Sequence, residues 1–293
     1  MISFNKKRPP MKFQSMQTIL DGKALATRLS RKTRVWIFAV FTVLAVAATF
    51  SSPPVLQNPA YNHFADQRAF FGIPNFFDVI SNAPFLLIGF LGLTFVLRRT
   101  AQNSQRVFAT HHEIWSYIAL FAGVTLTSFG SAYYHLAPGD NRLVWDRLPM
   151  TIIFMSFLAA TISERIDTRA GFLLLPILLS VGITSIIYWH VTELRGSGDL
   201  RVYLDVQYYT TAAIPLIAIL FPSRYTRGRI VFLVFVVYAF AKVFELLDGA
   251  VYSLGHIVSG HVIKHIIAAV ASYLILDMLR RRQPLKPQVQ STP

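Results

Sequence analysis

Eight apolar stretches, at about 35–50, 76–97, 114–135, 147–162, 171–189, 206–221, 230–247 and 256–277, leave this chain little room for a water-soluble fold. Several approach the roughly 20 residues that a helix needs to cross a bilayer. Between them lie only short linkers. Charged residues make up 14% of the sequence and AVILMFWYC 54%, with a mean hydropathy of +0.47. A soluble protein of 293 residues could not hide that much apolar surface, because its own exterior must meet water. These features predict an all-α membrane protein: a seven-span core bundle with one extra N-terminal transmembrane helix.

The net charge of +14 is placed as a topology signal rather than as a nucleic-acid footprint. Counted loop by loop, 21 Lys and Arg fall on one side of the spans and five on the other, with Lys242 and Lys264 inside spans. Such alternation predicts both termini in the cytoplasm. The chain then reads as a basic cytoplasmic tail at 1–34, an anchor helix at 35–50, a core at 60–280 and a second basic tail at 281–293. Ala45-Val46-Ala47 has the small-residue pattern of a signal cleavage site, but the basic segment before it is long, which favours a retained anchor.

There is no cysteine, so a disulfide, a thiol nucleophile and a Cys-ligated metal are all excluded. A metal site must be built from His, Asp or Glu. Ionisable groups at membrane depth are costly and tend to be functional, which directs attention to two segments. In the first, Ser131 and His135 are four apart on one helix face. The turn Pro138-Gly139-Asp140-Asn141 follows, and the next span re-enters through Asp146. A helical hairpin would place His135 and Asp146 at the same membrane edge. In the second, His261 and His265 stand at i and i+4 near the start of the last span, a spacing that chelates one metal from a single helix. Each residue also has a plain structural reading. Ser131 can bond the Thr127 carbonyl, Asp146 can cap its span, and His135 can be interfacial. Three histidines with one open position form a catalytic zinc arrangement. His63, His111, His112 and His190 lie in loops or at edges and are assigned nothing. His256 lies off the His261 face and is a candidate for an outer position.

Ser131-x3-His135-x10-Asp146 with His261-x3-His265 in the final span resembles the pattern of the alkaline ceramidase family. That family belongs to a superfamily of seven-span zinc hydrolases that includes the adiponectin and progestin receptor group. Asn75-Phe76-Phe77-Asp78-Val79-Ile80-Ser81-Asn82 looks like the family's opening of the first core span. The resemblance covers about residues 60–280. It implies a zinc ion (Zn2+) held by His135, His261 and His265, and Asp146 orienting or deprotonating the zinc-activated water. It also implies Ser131 steadying the site or the oxyanion, and a membrane lipid substrate, ceramide or another N-acyl lipid, cleaved at its amide. Glu245 and Asp248 are placed to reach a head group or an outer-sphere histidine, though Glu245 also stands three residues from Lys242 and suits an ion pair. Two departures stand out. The family's acidic calcium-binding cluster is matched before Asp78 only by Asp66. Lys264 sits between the paired histidines, where a cation beside a metal is unfavourable unless it points away, as its step around the helix allows. A metal-containing receptor or lipid-binding protein, and a transporter with a His/Asp proton relay, are the rival readings.

Overall fold

The computed structural model describes residues 23–101 and 107–285, and among them the chain is helical almost throughout, with no β-strand. A short helix α1 (Lys23–Arg28) precedes α2 (Arg31–Ser51). After a 3-10 turn at Pro59–Asn62 come α3 (Phe76–Ile80) and α4 (Ala83–Ala101), then α5 (Glu113–Leu136) and α6 (Asp140–Arg165). The remainder is α7 (Thr168–Leu194), α8 (Arg201–Leu220), α9 (Ile230–Leu246), the short α10 (Asp248–Ser253) and α11 (Gly260–Arg281). Six segments among the described residues are long and apolar enough to cross a membrane: Arg31–Ser51, Phe76–Arg99, Glu113–Leu136, Asp140–Arg165, Thr168–Leu194 and Gly260–Arg281. The helices α8 and α9 correspond to the other two expected spans, and α9 has only 17 residues.

Polar caps set several boundaries. The Ser30, Asp167 and Ser259 side chains accept hydrogen bonds from the backbone N–H groups of Thr33, Ala170 and Val262, satisfying donors that a helix start leaves unpaired. The Ser30 cap starts α2 four residues ahead of the expected anchor, so part of the 1–34 tail is helical. Residues 1–22 of that tail, and 286–293 of the other, lie outside the described residues. Arg282, expected in the C-terminal tail, is buried: it ion-pairs with Glu164 and lies over the rings of Phe108, Tyr117 and Tyr225.

The outward faces carry large apolar side chains such as Leu87, Phe90, Phe129, Ile177 and Phe240, the surface a hydrocarbon solvent accepts. Inside, a main core gathers Leu120, Phe121, Leu158, Ile214, Ile217 and Leu276. A smaller cluster of Phe64, Tyr134, Leu143, Trp189, Leu200 and Tyr203 closes the end where α5 finishes and α6 begins.

One contact fixes that hairpin. Pro149 has no N–H, so the Trp145 carbonyl loses its partner one turn back. Gly130 approaches this carbonyl so closely that a Cβ would stand 2.0 Å from the oxygen. The missing side chain lets α5 and α6 touch backbone to backbone one residue from Ser131 and from Asp146. At the start of α11, a Cβ on Gly260 would stand 2.3 Å from the Phe244 carbonyl oxygen. That second close approach seats the two-histidine segment against α9.

Candidate metal centre and cavity

His135 occupies the last turn of α5, and His261 and His265 the first turns of α11. The three rings meet: centroids are 4.9 Å apart for His135 and His261, 5.0 Å for His135 and His265, and 4.7 Å for His261 and His265. One nitrogen from each lies within 4.8 Å of the others, close enough to hold one metal ion. All three residues are buried. Both ring nitrogens of His135 lack any hydrogen-bond partner. A fully buried imidazole with two orphaned nitrogens is costly, and a metal on one of them offsets part of that cost.

The surrounding bonds suit a ligand role. The Ser81 hydroxyl donates to the Asp78 carbonyl at 3.1 Å and meets His265 Nδ1 at 2.7 Å. This pairing suits the tautomer in which Nδ1–H donates to Ser81 and Nε2 is available to a metal. Asn75, in the left-handed conformation at φ 47°, donates from Nδ2 to the His135 carbonyl at 2.8 Å. Asn82 and Ser128 tie the same segment to α5, the Ser128 hydroxyl donating to the Asn82 carbonyl at 2.9 Å. Phe64 packs against His135 and His261, with its centroid 4.6 Å from each. Asp78 is fully buried and neither carboxylate oxygen is hydrogen-bonded.

Asp146 and Ser131 line the same cavity, and the serine hydroxyl lies close to the carboxylate. Asp146 lies in the second turn of α6, so it does not cap the helix. Thr127, not Ser131, makes the bond back along α5, its hydroxyl donating to the Gly123 carbonyl at 2.9 Å.

The outer candidates separate. Asp248 accepts the His261 backbone N–H at 2.8 Å and the Ala65 N–H at 2.9 Å, joining the Phe64 loop to the start of α11. Glu245 pairs with Lys242, accepts from Lys264 at 3.3 Å, and accepts from the Tyr61 hydroxyl at 3.3 Å. Burial and the nearby Glu245 charge push the Tyr61 phenol well up, so it stays protonated as that donor. His256 is exposed, at φ 56°, and rests on Tyr252. It does not join the cluster, because its strained turn aims it outward. The expectation for Lys264 is also overturned. Its ammonium lies 3.0 Å from His261 Nε2, drawn inward by Glu245. A metal on that nitrogen requires Lys264 to let go of His261, and Glu245 then remains as its partner. Asp66 is held by Arg68 through two short bonds of 2.8 and 2.7 Å.

A cavity of about 580 Å³ opens beside the cluster. Its polar end presents Ser131, Asp146, Arg147, Glu245, Lys264 and His265, and its body is lined by Phe85, Ile153, Phe157, Phe235 and Ile275. The volume suits a drug-sized or single-chain amphiphile. Sequence reasoning did not single out Phe64 or Arg147, and took Ser81 and Asn75 only as part of a segment. Phe64 and Arg147 carry no spacing signal, since their partners lie far away in the chain.

No protein-family model matches the chain, and no curated protein matches it.

Proposed function

We propose that this protein is a membrane-embedded, zinc-dependent hydrolase of a lipid amide, ceramide or another N-acyl lipid. One observation carries the reading. Three buried imidazoles, one of them with both nitrogens orphaned, meet beside a carboxylate–hydroxyl pair at the head of an apolar cavity. The all-histidine donor set suits zinc. Zinc bound there supplies Lewis-acid activation of water near neutral pH.

The chain's own groups supply the rest. Asp146 takes the proton from the attacking water and returns it to the amine nitrogen as the carbon–nitrogen bond breaks. The Ser131 hydroxyl donates to the carboxylate and fixes the direction in which it presents its free lone pairs. Ser81 and Asn75 hold His265 and His135 in place. Phe64 covers two of the imidazoles and keeps bulk water off them. The apolar body of the cavity takes the acyl chain.

Seven core spans plus the N-terminal helix α2, with both ends cytoplasmic and the histidines toward the opposite face, complete the reading. The 21-to-five distribution of Lys and Arg supports that sidedness.

The test is metal analysis of the purified full-length protein joined to a screen of N-acyl lipids for fatty-acid release. Wild type is compared with His261→Ala and Asp146→Ala. Zinc near one per chain and released fatty acid are expected from wild type, zinc lost with His261→Ala, and zinc kept but release lost with Asp146→Ala. Absence of metal from wild type would sink the proposal. Bound zinc with lipid binding and no turnover would favour the receptor reading.

A further inference from the structure

Arg147 is a buried cation that forms no direct ion pair among the described residues. Its residue is 4% exposed, yet it lines the cavity. One terminal nitrogen donates to Gln57 Oε1 at 2.8 Å, while Nε and the other terminal nitrogen have no partner. No carboxylate forms an ion pair with it among the described residues. Asp146, its neighbour in sequence, feels its charge but makes no bond to it. The guanidinium sits over the rings of Trp189, Tyr203 and Tyr61, at 4.5, 4.9 and 5.1 Å from their centroids. Ring faces offset part of the cost of burying a cation, but they leave N–H groups unfilled, and a buried charge calls for an opposite one. Lys242 and Lys264 line the same cavity, so three cations stand in its wall against two carboxylates, Asp146 and Glu245.

We propose that Arg147 anchors an anionic group, carboxylate or phosphate, on the head of an acyl-chain amphiphile lying in this cavity. The inference rests on the hydrolase reading and narrows it. The preferred substrate is an N-acyl lipid whose amine portion carries a negative charge, rather than a neutral sphingoid head. The geometry suits such a molecule. The acyl chain fills the apolar body, the amide lies beside Asp146, and the charged end turns under the segment carrying Gln57 and Tyr61. Guanidinium groups recognise both carboxylate and phosphate, so the chemical class is set by charge.

The test uses dodecanoyl amides that differ only in the head: glycine, phosphoethanolamine, and the neutral glycinamide and ethanolamine. Hydrolysis is followed with the zinc-loaded protein. Binding of the same compounds is measured by calorimetry on metal-free protein, for wild type, Arg147→Gln and Arg147→Lys. Wild type is expected to bind a charged head about 10- to 100-fold more tightly than its neutral counterpart. Arg147→Gln should erase that ratio and Arg147→Lys should restore part of it. Preference for the glycine amide identifies a carboxylate ligand, and preference for the phosphoethanolamine amide a phosphate. Equal binding of charged and neutral heads by wild type would overturn the proposal, and this comparison needs no variant to fold. A charge preference that survives Arg147→Gln would overturn it too. Charge-selective binding without cleavage of any amide would remove the hydrolase and leave the anchor. Cleavage without selectivity would do the reverse.

Discussion

At the scale of single residues, the centre depends on groups that act through others. Ser81 bonds His265 Nδ1 and orients its ring. On the proposed zinc reading, Ser81→Ala is expected to weaken metal binding about 10- to 100-fold, read by competition with a chelator, while the fold survives. On the proposed hydrolase reading, Asp146→Asn keeps the shape and removes the base. Turnover should fall by about two to four orders of magnitude with zinc content unchanged. Spacing alone brought out His135, His261, His265, Ser131 and Asp146, because each pair lies within one helix or across one short turn. Spacing could not show where Lys264 points. Its direction follows from Glu245, nineteen residues earlier, which draws it toward His261.

Among the elements, the α5–α6 hairpin is set by a backbone contact, Gly130 against the Trp145 carbonyl. Gly130→Val forces the helices apart and is expected to cost about 1–3 kcal/mol, measured as a lower midpoint of thermal unfolding in detergent, and to lower zinc content by separating His135 from α11. The loop before α8 carries a clasp. Asp199 binds Arg201 at 2.8 Å and accepts from the Tyr188 hydroxyl at 2.8 Å, while Arg201 also reaches the Ser52 carbonyl after α2. Arg201 holds the Asp199 carboxyl down at about 2. A depressed folded-state value gives stability that is complete above the unfolded value of about 4 and is lost as the pH falls through about 2. The unfolding midpoint of wild type should therefore exceed that of Asp199→Asn at neutral pH, and the gap should close between about pH 4 and 2. The α2 helix runs unbroken past Ala45-Val46-Ala47 and packs on α8 through Thr42 and Tyr209, whose hydroxyls are 2.8 Å apart.

Across the whole molecule, the two polar clusters occupy opposite ends of the same helices. The histidines lie where α5 ends and α11 begins. At the other end Arg282 joins Glu164 and faces Glu113, whose carboxylate accepts from the Tyr225 hydroxyl. Arg282→Met leaves buried carboxylates without their cation and should cost about 3–5 kcal/mol, seen as a lower unfolding midpoint. Because the chain has no cysteine, single cysteines at Gly139 and Arg224 report sidedness directly. In intact cells an impermeant thiol reagent should label the first and spare the second. By itself the sequence determined helix, membrane and the five polar positions. Hydropathy is additive along the chain, and i, i+4 spacing needs only one helix. The tertiary structure alone decided that α11 returns to α5 so that the three imidazoles meet. It also decided that Arg147 lines a cavity without a direct ion pair and that His256 turns away. Those outcomes depend on which distant segments pack together, and no local pattern encodes that.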